Sequence, residues 1–309
     1  MHDRHEPLPP SDDPRSHLMA LYEIIDRPRL EEPALVLVLE GWIDAGSSAA
    51  GAAEVLTDQL DTITVARFST DELLDYRARR PVVHLVDGVQ RGLTWPSIEL
   101  RAAADLDGKD MLMLVGAEPD RLWHQFAEEV TELAVDFGTR TCIGLGAYPA
   151  PAPHTRAPGV ACTASTPSLA DSGLLRASLD FPGGIQAAIE QACDQRDIAS
   201  LGLWAQVPHY LVSPPSMPYP AGSVALIEAL GRIGELTLPL GDLVTRADAT
   251  RARLDELIAG NPEHQAMLRQ LEAAYDESAA PERMNPTDLP TGDELAAELE
   301  KFLRGESGD

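Results

Sequence analysis

The chain has 309 residues and sets 24 Lys and Arg against 50 Asp and Glu, a formal net charge of −26. So large an acidic surplus excludes a nucleic-acid backbone or an anionic membrane surface as partner, because both need clustered positive charge. A hydrophobic content of 44% excludes disorder for the body of the chain, and the length asks for one large α/β domain with additions, or two domains.

Residues 1–17 are Pro-rich and polar and read as a flexible N-terminal tail. The first 30 residues hold Asp12, Asp13 and five prolines before any apolar run, unlike a signal peptide. No apolar stretch approaches the roughly 18 residues that span a bilayer, and the expected location is the cytoplasm. Ala34 to Leu39 is apolar on both faces, as a central parallel strand is, and Ser47 to Leu60 follows as an Ala- and Leu-rich helix. Ile63 to Phe68 reads as the next strand. Ser69-x-x-Glu72 has the form of a capping box opening a short helix through Tyr76. Val82 to Val86 and Ile98 to Ala103 flank Asp87-Gly88 and a Gly-Leu-Thr-Trp-Pro loop, an extended hairpin-like excursion.

Met111 to Val115 is another buried strand. Trp123, Phe126, Ala127, Val130, Leu133, Ala134 and Phe137 then lie on one helical face, closed by Gly138. Thr141 to Leu145 and Val160 to Ala164 read as strands around a Pro-rich loop, Ile185 to Cys193 as an amphipathic helix, and Leu201 to Val207 as a strand. This alternation is the pattern of a three-layer α/β sandwich over residues 18–235. From Val224 the strand signal stops. Stripes at Val224, Ile227, Leu230 and Ile233, at Leu240, Leu243, Val244 and Ala247, and at Met267, Leu268, Leu271 and Tyr275 predict helices, the last with Asn261-Pro262 at its start. Residues 236–277 are therefore a helical extension. Residues 278–309 are an acidic linker and a terminal helix capped by Thr291-x-x-Glu294 with Leu295, Leu299, Phe302 and Leu303 on one face.

Cys142, Cys162 and Cys193 are far apart and form no C-x-x-C pair, so no metal site or disulfide framework is expected and no cofactor is implied. G-x-S-x-G, Walker, G-x-G-x-x-G and H-E-x-x-H signatures are missing. Candidate sites reduce to loops at the carboxyl ends of strands, where open α/β sheets bind ligands. One is Glu40-Gly41-Trp42-Ile43-Asp44-Ala45-Gly46-Ser47-Ser48, whose free N–H groups suit an anion and in which Trp42, Asp44, Gly46 and Ser47 are the candidates. Its plainer reading is a tight turn with Asp44 as helix cap and Trp42 as packing. A second ends in His154, Thr155 and Arg156, fixed in space by surrounding prolines. Cys142 or Cys162 with His154 could form a nucleophile and base, although small buried hydrophobes are the commoner fate of lone cysteines. A third is Trp204-Ala205-Gln206-Val207-Pro208-His209-Tyr210, with Trp204, His209 and Tyr210 as candidates and His209 a conceivable general base.

Five segments carry a resemblance: Gly41-Trp42-x-Asp44-Ala45-Gly46, Asp75-Tyr76-x-x-Arg79-Arg80-Pro81, Gly116-x-Glu118-Pro119-Asp120-x-x-Trp123, Pro153-His154-Thr155-Arg156 with Thr163-Ala164-Ser165, and Gly202-Leu203-Trp204-Ala205-x-Val207-Pro208-His209-Tyr210. Together, over residues 20 to 277, they resemble the actinobacterial branch of the proteasome assembly chaperone 2 family. The resemblance implies a sandwich of the phosphorylase/hydrolase-like type, a homo-oligomer (a trimer by fold analogy), and a proteasome-related or other protein client. The Gly305-Glu306-Ser307-Gly308-Asp309 ending lacks the hydrophobic-tyrosine element with which some prokaryotic relatives dock on the proteasome. Two functions follow as expectations. One is a non-enzymatic, homo-oligomeric interaction module; the alternative is a nucleoside- or phosphate-binding protein or hydrolase/phosphorylase-like enzyme using the rim loops.

Overall fold

The computed structural model describes residues 20–40, 43–166, 180–212 and 217–278. Ten strands are present: β1 (Tyr22–Ile24), β2 (Ala34–Glu40), β3 (Ile63–Phe68), β4 (Val82–Val86), β5 (Val89–Thr94), β6 (Ile98–Ala104), β7 (Asp110–Ala117), β8 (Thr141–Ala150), β9 (Val160–Ala164) and β10 (Ala199–Pro208). The helices are α1 (Ser48–Gln59), α2 (Thr70–Leu73), α3 (Trp123–Asp136), α4 (Ile185–Asp194), α5 (Pro220–Gly234), α6 (Leu243–Ala259) and α7 (Pro262–Ser278). Eight strands form one mixed sheet in the order β1-β3-β6-β7-β2-β8-β10-β9. Its centre, β7-β2-β8-β10, is parallel, and the strands outside it pair antiparallel.

Parallel strands joined by helical crossovers must be covered on both faces, and the residues alternate accordingly. Val36 and Val38 of β2 join a core with α1, α5 and α6, whereas Leu35 and Leu37 join one with α2, α3 and α4. The result is the expected three-layer α/β sandwich. The hairpin β4–β5 turns at Asp87 and Gly88, both at positive φ (53° and 75°), and pairs only with itself.

Several local expectations need adjustment. α2 ends at Leu73, short of Tyr76, and Ser69 makes no side-chain cap bond. The Arg121 guanidinium takes the Leu74 carbonyl (2.6 Å) and the Asp120 carboxylate takes the Asp75 amide (2.7 Å), so the backbone is drawn out of the helix there. β8 runs on to Ala150 because its pairing with β10 continues to Pro208. The N-terminal tail, the terminal helix around Leu299 and the linker before it fall outside the described residues. No described helix is long and apolar enough to cross a membrane.

Candidate functional site

The turn before α1 is built around one carboxylate. Asp44 accepts the amides of Ala49 (2.7 Å) and Ala50 (2.9 Å), filling the helix's first unpaired donors. Burial pushes its carboxyl up from the ordinary value, and these same amides, with that of Ser48, oppose the rise. Gly46 sits at φ +60°, and a Cβ there would stand 2.7 Å from Cβ of Tyr219, whose amide donates to the Gly46 carbonyl (2.8 Å). Ser47 is exposed at φ +49°, and the Ser48 hydroxyl donates to the carbonyls of Ala45 and Tyr219. The amides that could have held an anion are thus occupied by Asp44, and the turn seats α1 against α5. Trp42 lies outside the described residues.

The Pro153-His154-Thr155-Arg156 segment faces the helical extension. The His154 side chain is fully buried. Its amide donates to the Tyr210 hydroxyl (2.9 Å), Nδ1 lies 2.7 Å from that hydroxyl, and Nε2 lies 3.1 Å from Asp255 Oδ1 on α6. Every atom is satisfied when Tyr210 donates to Nδ1 and Nε2–H donates to Asp255. Thr155 donates to Glu272 (2.6 Å), and Arg156 forks onto both oxygens of Asp276 (2.8 and 2.7 Å) and reaches Glu272 (3.2 Å), all on α7. Bidentate contact with Asp276 raises the Arg156 pKa further. Tyr275 completes the seam by donating to the Ala157 carbonyl (2.7 Å). Burial pushes the Tyr210 phenol up to about 12, with the charges of Glu272 and Asp255 adding and the His154 amide opposing. These residues form a clamp that fastens α6 and α7 to the rim of the sheet.

The third candidate loop divides. Tyr210 belongs to the clamp, and His209 is exposed, stacked edge-on against Tyr210 at 5.4 Å. Trp204 lies on the other face of the sheet, away from both. Its indole N–H donates to Thr163 (3.1 Å), and its ring occupies the place where a Cβ on Gly146 would sit, 2.3 Å from Cζ3. Cys142 and Cys162 are buried and are not among the hydrogen-bond partners of His154. Asp44, His154, Arg156 and His209 therefore do not meet around one cavity.

A cavity of about 140 Å³ opens instead beside the start of α4, against Leu39 near the end of β2, Leu145 of β8 and Trp204 of β10. Glu118, Gln186 and Glu190 line it with Trp204, Thr163 and Phe181. Glu118 accepts the Ile185 amide (2.8 Å) at the start of α4, and Gln186 donates to Glu190 (2.8 Å) one helical turn on. Glu190 is only partly covered by surface, yet its apolar surroundings push its carboxyl up to about 7 against the opposing Gln186 bond. Neither glutamate was a sequence candidate, nor were Asp255, Glu272 and Asp276. A signal existed for the cavity: Gly144, Gly146 and Gly202 interrupt two buried strands, and glycine inside a strand marks a close approach. Side chains of Gln186 and Trp204 fill the space over all three.

Among the described residues no group of three or more His, Cys, Asp or Glu is placed to hold a metal ion. The model of the PAC2 family matches residues 38–258. Among solved structures, one of a Corynebacterium glutamicum protein of unknown function is 32% identical, with a TM-score of 0.80, covering 86% of this chain and all of that one. A Mycobacterium tuberculosis protein of unknown function is 33% identical, with a TM-score of 0.79, covering 90% and 96%. A second M. tuberculosis protein, described as a proteasome-assembly chaperone homologue, is 30% identical, with a TM-score of 0.69, covering 76% and 99%. No curated protein matches the chain.

Proposed function

Because the chain belongs to the PAC2 family, we propose that it is a non-enzymatic, homo-oligomeric interaction module of the proteasome-assembly-chaperone kind, with a proteasome-related protein as client. The observation that carries the reading is the hairpin β4–β5. Val82, Val83, Leu85, Val86, Val89 and Leu93 on it, and Trp95 just past it, are all at least 40% exposed. A lone two-stranded sheet is marginal in water. Successive residues of a strand point to opposite sides, so these side chains leave apolar surface on both faces of the ribbon.

Charge favours a second copy as the occupant. Residues 77–94 hold four arginines and one acid, Asp87, inside a chain of net charge −26. Arg79 pairs with Asp120, whereas Arg77, Arg80 and Arg91 have no ion pair among the described residues. A basic segment leading into an apolar hairpin is complementary to the acidic surface of its own neighbour. Three copies is the subunit number we carry from the fold analogy, and the cytoplasm is the compartment we assign. The enzyme alternative would need Asp44, His154, Arg156 and His209 around a reactive centre. Three of these are engaged in capping and clamping, and the cavity is smaller than the roughly 300 Å³ at which metabolite pockets begin.

Native mass spectrometry of the full chain and of a Leu85→Asp, Val86→Asp variant tests the reading. The expected result is an oligomer that becomes monomeric on substitution with unchanged circular dichroism, and faster joining of separately purified proteasome subunits only with the oligomer. A wild-type monomer at tens of micromolar that leaves proteasome assembly unaltered refutes it.

A further inference from the structure

We infer that the cavity between α4 and the strands β8 and β10 receives a single cationic group, a guanidinium or ammonium, carried either by a side chain of the protein partner or by a free small amine. Thirteen residues line the cavity and none is Lys, Arg or His, while two are glutamates. Each glutamate gives one carboxylate oxygen to a protein donor, Glu118 to the Ile185 amide and Glu190 to Gln186. Their second oxygens have no hydrogen bond or ion pair among the described residues. Glu118 is 8% exposed, yet the only fully buried, unpartnered side-chain polar atom among the described residues is Thr139 Oγ1. The second carboxylate oxygens of these two cavity-lining glutamates are therefore open to an outside donor.

The walls suit a cation as well. Trp204 lines the cavity with its N–H already used on Thr163, so the indole offers its π-surface in place of a donor, and Phe181 stands half-exposed at the rim. Size selects further. About 140 Å³ is close to the engineered apolar cavity that holds one benzene, enough for a guanidinium with a short alkyl stem and too little for a nucleoside. The elevated Glu190 carboxyl is what an anionic group without its counter-ion shows in such surroundings. Gln186 holds that carboxylate one turn along the same helix, so the acceptor is preorganised by the backbone of α4.

The protein-borne source rests on the interaction-module reading, whereas the free-amine source does not. Isothermal titration of the full chain at pH 8 with agmatine, with its neutral urea analogue, and with octapeptides carrying one Arg or one Gln separates them. Expected is millimolar or tighter binding of agmatine or the Arg peptide. Binding should weaken at least tenfold in Glu190→Gln and in Ala187→Phe, which narrows the mouth from an exposed helix position, and stay unchanged in the Leu85→Asp, Val86→Asp hairpin variant. A preference for the peptide assigns the group to a partner side chain; a preference for agmatine assigns it to a free amine. Equal binding of the neutral analogue, no binding of either cation, or an unaltered affinity in Glu190→Gln overturns the inference, whatever the oligomer test returns.

Discussion

Removal of the His154 imidazole tests whether the rim loop is a clamp. The ring is fully buried and bridges the body, through Tyr210, to the extension, through Asp255. Truncation to alanine loses the burial of a ring and leaves a void, about 2–4 kcal/mol for large-to-small changes of this size. The bond to Tyr210 adds about 1 kcal/mol, partly offset because the Tyr210 hydroxyl keeps the His154 amide as donor. The Asp255 side chain is 52% exposed and rehydrates, so its share is under about 1 kcal/mol. The net is about 3 kcal/mol, which in a chain of this size lowers Tm by roughly 5 °C. Because the lost contacts join two units, hydrogen exchange in Leu243–Ser278 should accelerate ahead of exchange in the central strands. The comparison variant is Asp255→Asn, expected to cost under about 1 kcal/mol. If the two variants cost the same, or if His154→Ala loosens the sheet and the extension alike, the clamp is the wrong description.

Three further outcomes follow from the geometry. Gly46→Ala forces a side chain into the left-handed region and within 2.7 Å of Tyr219, a cost of about 2–4 kcal/mol in urea denaturation; a neutral result would show that the α1–α5 contact yields freely. The folded Glu190 carboxyl titrates at about 7 against an unfolded value near 4.5. The folded state therefore binds more protons between those values, and stability falls as pH rises through that window. Each unit is about 1.4 kcal/mol, reduced by the partial exposure of the side chain to about 2 kcal/mol in all, and Glu190→Gln should abolish the slope in chemical denaturation at pH 5 and 8. Asp105 behaves in the opposite sense: burial raises its carboxyl, but the amides of Thr237, Lys109, Asp107 and Gly108 outweigh that and hold it below the ordinary value. Its contribution is present above the unfolded pKa and is lost as pH falls through the lowered folded one, so Asp105→Asn should flatten the acid limb of the stability curve.

The sequence displayed the layered core because burial on two faces leaves an unbroken apolar run, as in Ala34–Leu39, and burial on one leaves a 3.6-residue stripe, as in Trp123–Phe137. Gly138 at φ +69° closes that helix where its position suggested. Both signals come from packing that the strand or helix makes along its own length. The second strand of the hairpin, Val89–Thr94, escaped because nothing covers either face, so no alternation marks it. The roles of His154, Thr155 and Arg156 were unreadable for a different reason: their partners are 56 to 120 residues away. A stiff Pro-rich loop announces only that its side chains are held, not what holds them.

The same physical fact explains why the turn before α1 and the loop after β8 are closed while a cavity opens at the start of α4. Each parallel strand ends in unpaired amides and a loop that must be satisfied locally. At β2 the demand of α1 is met by Asp44, a residue of the loop itself. At β8 the loop meets Tyr210, Asp255, Glu272 and Asp276, and its donors are consumed by the chain's own acidic helices. At the start of α4 the first free amide takes Glu118, but the carboxylate has a second oxygen and Glu190 another, with no base inside the cavity to meet either. Acids outnumber bases by 50 to 24, Arg156 is committed to the clamp, and Arg77, Arg80 and Arg91 lie in or just before the exposed hairpin. Among the described residues that line the cavity none supplies a balancing positive charge, which is the demand the proposed cation would meet. For that reason the cation test and the oligomer test address different surfaces of one molecule.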